Sequence, residues 1–310
     1  MMEAGLCLTL LCVLLRPVGG GCVLPLMKGS PVGFQPKAIA AGPQEKLVIV
    51  DQRGVLLFAD MKDFTVQQDF QLSREMDESN IQGLAMTNRD STYLYAAANH
   101  DSELVEYEWH SSHKVFRRFK LLGVPSVGQG LQSLTFVPTP ASSQEGYFYA
   151  SAGISGDIYI YEVPLLSEGL TSARSVKVWS PDSAPRHQDH HVTGLEYADG
   201  YLFVCYDMGS SAYLLIFEIL PSGLPGPLQE RHQVDVAHAS GLAVRKASEM
   251  DWRMFFASEE RKIYGYSFRF VDGFQLHPYC ESPEATWNSN AAARMLSLSP
   301  LLLPVLLLWG

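Results

Sequence analysis

One three-part phrase recurs five times along this chain of 310 residues, and no other feature narrows its possible folds so far. Gly83-Leu84-Ala85 opens one copy, Tyr93-Leu94-Tyr95-Ala96-Ala97 continues it, and Leu104-Val105-Glu106-Tyr107-Glu108 closes it. Leu134-Thr135-Phe136, Gly194-Leu195-Glu196 and Gly241-Leu242-Ala243 open three more, and Ala38-Ile39-Ala40 opens the earliest. Each copy is three short runs rich in Tyr, Phe, Val and Ile, separated by Gly, Asp, Asn and Ser. That is strand and tight-turn composition with no sustained helical period. A fourth, more charged run follows each copy, such as Val115-Phe116-Arg117-Arg118-Phe119 or Arg231-His232-Gln233-Val234. Charge suits an outer strand whose edge must not pair with other chains.

Four antiparallel strands repeated radially make a β-propeller. The pivots Ile39, Leu84, Leu134, Leu195 and Leu242 lie 45, 50, 61 and 47 residues apart, a period typical of propeller blades. The expected fold is therefore all-β, a single propeller of five four-stranded blades. Six is the alternative if residues 24–36 contribute strands.

The two ends predict processing. Residues 5–15 are an apolar run followed by Pro17 and the small residues Gly19 to Gly21, which reads as a signal peptide over 1–20. Residues 295–310 are apolar, short for a bilayer span, broken by two prolines and without basic residues after them. The small residues before them make 288–310 a glycosylphosphatidylinositol-attachment signal, with Asn288, Ser289 and Asn290 as candidate attachment sites. A single-pass or tail-anchored protein is the competing reading. The mature propeller, 21–287, is then expected on the extracellular face of the plasma membrane, or secreted. Cys22 precedes the first blade and Cys280 follows the last, so a closed ring can bring them together as a disulfide. The alternative is that both are free. Cys205, inside an apolar run, reads as a buried thiol.

The chain carries 33 acids and 23 bases, a net charge of −10. That balance argues against nucleic acid as a partner and is compatible with cations. The local exception, residues 113–120, reads either as a stripe for sulfated glycan or phosphate or as a charged outer strand.

In a propeller the turn between second and third strands opens on the same face as the loop into the next blade. All five of those turns hold an acid: Asp51, Asp101, Asp157, Asp207 and Glu259. Convergent carboxylates would repel one another unless a cation such as Ca²⁺ lay between them. The alternative is that Asp is an ordinary turn residue. A second cluster, His187, Asp189 and His191, with His238 from the next blade, has the residue types of a transition-metal site. A solvated histidine-rich loop is its alternative. Gly-x-Ser-x-Gly is approached only at 152–157 and not completed, and no phosphate-binding or dinucleotide glycine motif occurs.

Gly130-Leu131-Gln132-Ser133-Leu134-Thr135-Phe136-Val137-Pro138, with 153–161 behind it, resembles blades of the phytase-like and SdiA-regulated propeller families. Similar phrasing recurs at Thr193-Gly194-Leu195 and Ser240-Gly241-Leu242. The resemblance covers about residues 37–280 and implies a propeller with a calcium-bound channel. Gln132 and Gln82 stand where those families favour Glu, so two acids that could ligate calcium are missing. Three functions follow as expectations. The first is a binding module taking an extracellular protein or small ligand on its loop face. The second is a calcium-dependent esterase, lactonase or phytase-like hydrolase. The third is a metal-binding surface protein that uses the His187–His191 loop.

Overall fold

The computed structural model describes residues 22–24, 31, 33–62, 64–72, 80–87, 93–98, 102–109, 114–124, 130–139, 142–152, 156–163, 165, 172–182, 184, 191–270 and 274–278. Every regular element among them is a β-strand. After a short β1 (Cys22–Leu24), blade 1 is β2 (Pro36–Ala41), β3 (Lys46–Asp51), β4 (Val55–Asp60) and β5 (Val66–Gln71). Blade 2 is β6 (Ile81–Met86), β7 (Tyr93–Ala98), β8 (Glu103–Glu108) and β9 (Lys114–Leu122). Blade 3 is β10 (Leu131–Thr139), β11 (Ser142–Ala152), β12 (Ile158–Glu162) and β13 (Ser172–Trp179). Blade 4 is β14 (Val192–Ala198), β15 (Tyr201–Asp207), β16 (Ala212–Ile219) and β17 (Pro225–Val234). Blade 5 is β18 (Ala239–Lys246), β19 (Asp251–Ser258), β20 (Lys262–Phe270) and β21 (Phe274–Pro278). Each is an antiparallel meander in sequence order.

The first strands pack in a ring: β2 on β6, β6 on β10, β10 on β14, β14 on β18, and β18 back on β2. This closed ring of meanders is a β-propeller. Its joints explain the repeated Gly-Leu. A Cβ at Gly83 would lie 2.6 Å from the backbone nitrogen of Leu134, and one at Gly194 would lie 2.6 Å from the Leu242 Cβ. The glycine of one blade therefore receives the leucine of the next, and the inner strands approach almost backbone to backbone. Large apolar residues fill the wider gaps further out; Phe203, Trp252 and Phe268, for example, lie between blades 4 and 5.

Two features depart from the expected plan. First, β1 does not begin another blade. It pairs with the outer edge of β20, with Cys22 opposite Gly265 and Leu24 opposite Ile263. β21 occupies the rest of that edge, from Phe274 opposite Phe270 to Pro278 opposite Tyr266. The last blade thus has an outer strand made from both ends of the described chain. Second, the charged outer strand β9 does not stand alone. Its Lys120, Leu121 and Leu122 pair in parallel with Ser172, Ala173 and Arg174 of β13, joining blades 2 and 3 into one eight-stranded sheet.

The basic stripe on β9 is likewise consumed internally. Arg117 forms an ion pair with Glu106, donates to the Leu165 carbonyl at 2.7 Å, and lies 4.9 Å from the Phe119 ring centre. Tyr95 donates its hydroxyl to the other Glu106 oxygen at 3.0 Å. Arg118 pairs with Glu103 at 3.1 Å. The stripe's central arginines are partners of this fold, because the bulge at Phe116 turns Arg117 inward toward the buried glutamate.

Candidate functional site

The loop face is held together by bonds between the second-to-third-strand turns and the segments that lead into the blades. His238 donates its amide to Gly209 of blade 4 at 2.8 Å and accepts from the Glu259 amide of blade 5 at 3.0 Å. His191 accepts from the Asp207 amide at 3.3 Å. Gln35, leading into blade 1, donates to the Glu259 carbonyl at 3.1 Å, and Lys37 pairs with the Glu259 carboxylate. The turns and the lead-ins therefore share one face, as the sequence predicts.

The acids on that face do not occupy equivalent positions. Asp51 ends β3 and accepts from the amides of Arg53 (2.8 Å) and Val55 (2.9 Å) and from the Arg53 guanidinium (2.8 Å). Asp207 ends β15 and accepts from the Gly209 amide at 3.0 Å. In blade 5 this turn-starting role falls to Ser258, whose hydroxyl accepts from the Glu260 amide at 3.2 Å, so Glu259 is displaced by one residue. Asp157 follows Gly156, just before β12, and accepts from the Ser180 hydroxyl. Asp101 lies outside the described residues. The sequence aligned acids that the backbone uses differently, and local turn bonding accounts for two of the four. Among the described residues no three His, Cys, Asp or Glu side chains are grouped to hold a metal.

His238 sits at φ 49°, in the position just before an inner strand that Asn80 (φ 46°) and Gly130 (φ 63°) fill elsewhere with the same left-handed backbone. Its place in the sequence is thus explained by a turn that tolerates few residue types. His187 and Asp189 lie outside the described residues. His191 has a buried Nδ1 with no hydrogen-bond partner. Across the ladder from Val192, the hydroxyl of Tyr206 is also buried without a partner. Burial, with a smaller contribution from nearby Asp157, raises the Tyr206 pKa far above its ordinary value. Thr193 Oγ1, between them on the same strand start, is a third, so among the described residues the start of blade 4 carries three buried polar atoms without a hydrogen-bond partner.

The structure adds a ring that the sequence reading did not pick out. Each inner strand carries a β-bulge at its second residue, in register with the other four: Lys37, Gln82, Gln132, Thr193 and Ser240. All five are polar. A bulge leaves its extra residue unpaired and re-aims the side chain, and such kinks gather beside binding sites. Ser240 reaches the next blade and donates to the Pro36 carbonyl at 3.1 Å, while Gln82 donates to Asn80 at 2.9 Å.

Three residues past each bulge stand Ala40, Ala85, Thr135, Glu196 and Ala243. Small residues suit this rung because it faces the next blade at the closest approach of the strands. Glu196 is the exception. It is 9% exposed, no hydrogen bond or ion pair engages its carboxylate among the described residues, and burial pushes its pKa well above the usual carboxylate range. Comparing the five copies at this one position is the sequence signal that would have found it.

No protein-family model matches the chain, and no curated protein matches it. Among solved structures it is similar to the β-propeller domain of Myceliophteria thermophila Cps50 (Swd1), at 12% identity and a TM-score of 0.44, over 81% of this chain and 72% of that one. The assignment to the β-propeller class rests on the ring of meanders described above.

Proposed function

We propose that this protein is a glycosylphosphatidylinositol-anchored, extracellular β-propeller that binds a protein or small-ligand partner on its loop face. The observation that carries the reading is the group of buried atoms at the start of blade 4 that lack a partner among the described residues, His191 Nδ1 and the Tyr206 hydroxyl foremost, with Thr193 Oγ1 between them. Each unsatisfied buried polar group costs about 1–3 kcal/mol, so a fold that keeps them together gains from a ligand that bonds them. The alternative, a calcium-dependent hydrolase, has less support. The Asp51 carboxylate is already held by Arg53 and its own turn, and Glu259 by Lys37.

The edge of β20 supports the extracellular half. Cys22 lies opposite Gly265, and Pro278 lies opposite the adjacent Tyr266, so the two strands meet along one edge. Cys280, two residues beyond Pro278 in sequence, lies outside the described residues, and its disulfide with Cys22 is part of the proposal. A disulfide there suits an oxidising compartment.

Three measurements test the reading. Phosphatidylinositol-specific phospholipase C should release the protein from cells, and persistence on the membrane sinks the anchor. Thiol titration of the mature protein should find one free thiol, at buried Cys205 and only after denaturation; three thiols sink the disulfide. Binding of the labelled, released protein to cells should fall at least tenfold in the His191→Ala/Tyr206→Phe double variant. If the double variant binds as well as wild type, the loop-face assignment fails.

A further inference from the structure

We propose that the axial channel binds the ammonium group of a small organic cation, with the Glu196 carboxylate as its counter-charge. This site is separate from the loop-face surface and does not depend on the lipid anchor.

The channel wall comes from the topology. β2, β6, β10, β14 and β18 each end their sheet, hydrogen-bonded to one neighbour only, so their second edges face the centre of the ring. Such edges present backbone N–H and C=O groups that strand pairing does not satisfy. Thr135 shows where a side chain on the Glu196 rung ends: its hydroxyl accepts from the Tyr197 amide of the next inner strand at 2.9 Å. Glu196 holds the corresponding place one blade on, facing β18. Gly194, two residues earlier on the same face, abuts Leu242 of that strand. A glutamate reaches further than a threonine, so its carboxyl belongs at the inward edge of β18, on the channel side.

Among the described residues nothing bonds that carboxyl, and its oxygens are not among the fully enclosed polar atoms that lack a partner. The charged side chains on strands packed against β14 are engaged elsewhere: Arg245 donates to the Gly42 carbonyl at 3.3 Å, Lys246 pairs with Asp199, and Asp207 caps its own turn. Burial alone accounts for the shifted Glu196 pKa, with no charge contributing. The other four copies show that the joint closes with Ala or Thr in this place, so packing does not require the acid. A buried carboxyl without a partner weakens the fold, and its retention calls for a ligand.

The arithmetic of charge selects the ligand. Ca²⁺ takes six to eight oxygens and is usually held by several carboxylates. One acid on this rung balances one positive charge. An ammonium donates three hydrogen bonds, which one carboxylate and the unpaired carbonyls of neighbouring inner edges can accept. The polar bulge ring of Lys37, Gln82, Gln132, Thr193 and Ser240 lies three residues along the strands toward the loop face, where such a cation enters. Binding ionises Glu196, and the proton leaves to solvent.

The test uses the purified full-length protein, titrated calorimetrically with n-butylammonium chloride in two buffers of different ionisation heat. KCl at equal ionic strength is the control, and CaCl₂ runs in parallel. Saturable butylammonium binding is expected, accompanied by proton release that grows as the pH of the titration is lowered. Glu196→Gln should weaken it at least tenfold, and Glu196→Thr, which copies Thr135, serves if the first variant does not fold. Butylammonium binding that is absent from wild type, or unchanged in the folded variant, overturns the proposal. Saturation by Ca²⁺ without butylammonium overturns it equally. Loss of cell binding in the loop-face double variant leaves this result untouched, so the two readings fail separately.

Discussion

Blades 2 and 4 each bury a glutamate, and they treat it in opposite ways. Glu106 on β8 is enclosed by Arg117, Tyr95 and the ladder, with its two oxygens accounted for. Glu196 on β14 is also buried, at 9% exposed against 2% for Glu106, and has no partner among the described residues. Desolvating a carboxylate costs several kcal/mol unless charge and hydrogen bonds replace the water. Blade 2 supplies both from within one sheet, because Arg117 stands opposite Glu106 on the neighbouring strand. Blade 4 leaves the replacement to protonation or to a ligand. The first acid belongs to the architecture; the second is a group that the architecture tolerates.

The sharpest way to break this comparison is to turn the first acid into the second. Arg117→Ala should cost about 3–5 kcal/mol in urea unfolding, the usual consequence of leaving one member of a buried pair alone. A loss below about 1 kcal/mol would show that the Glu106 pair is not what holds blades 2 and 3 in register. The reverse change acts on blade 4. Glu196→Gln should stabilise the protein by roughly 1–2 kcal/mol at pH 7.5, since it removes a group whose charged form is penalised by burial. The sign with pH follows from the raised folded pKa. The unfolded chain releases the proton near its ordinary value of about 4.3 and the folded chain only at higher pH. Wild type therefore loses stability across that window as pH rises, and the gap to Glu196→Gln should close as pH falls toward 4. A gap that stays constant from pH 4 to 8 would count against a buried, titrating acid.

An effect of similar size and opposite pH dependence is expected from His232, whose pKa burial lowers to about 4. The unfolded chain takes up a proton near 6.5 that the fold refuses, so stability should drop as pH falls from 6.5 to 4, by roughly 1–2 kcal/mol after solvent screening. His232→Gln should flatten that slope in pH-dependent melts. The smallest change is on the neighbouring rung. Thr135→Ala should cost about 1 kcal/mol, because the Tyr197 amide loses its acceptor at the channel edge. If it costs nothing, the rung is solvated and the argument for Glu196 loses its template.

The propeller was legible because its determinants are local and repeated. A small residue followed by Leu, then a tyrosine-rich run, encodes an inner strand and its neighbour, and the five copies put their strands where the spacing predicts. The outer strand of blade 5 was half legible: β21 follows its own repeat, whereas β1 finds an edge some 240 residues away, which no local pattern records. The candidate site was less legible for a different reason. Asp51, Asp207 and Glu259 look alike in sequence, but one residue of offset in a turn decides whether the backbone or a neighbouring blade uses the side chain. The bulges at Lys37, Gln82, Gln132, Thr193 and Ser240 leave no mark except that all five residues are polar. Glu196 was in view as part of Gly194-Leu195-Glu196, and its meaning emerged only once its rung was seen to hold Ala or Thr elsewhere.

The joint between blades 5 and 1 also sets an order of events. Its links run from Ser240 to Pro36, from Arg245 to Gly42 and from Glu259 to Lys37. None can form until blade 5 has left the ribosome, whereas every other joint uses residues of consecutive blades. Contacts of such sequence separation are entropically expensive and form late. A nascent propeller is thus an open arc with two bare inter-blade faces, apolar on both sides, until its final strand arrives. The same ring that conceals the channel in the finished molecule makes its assembly wait for blade 5.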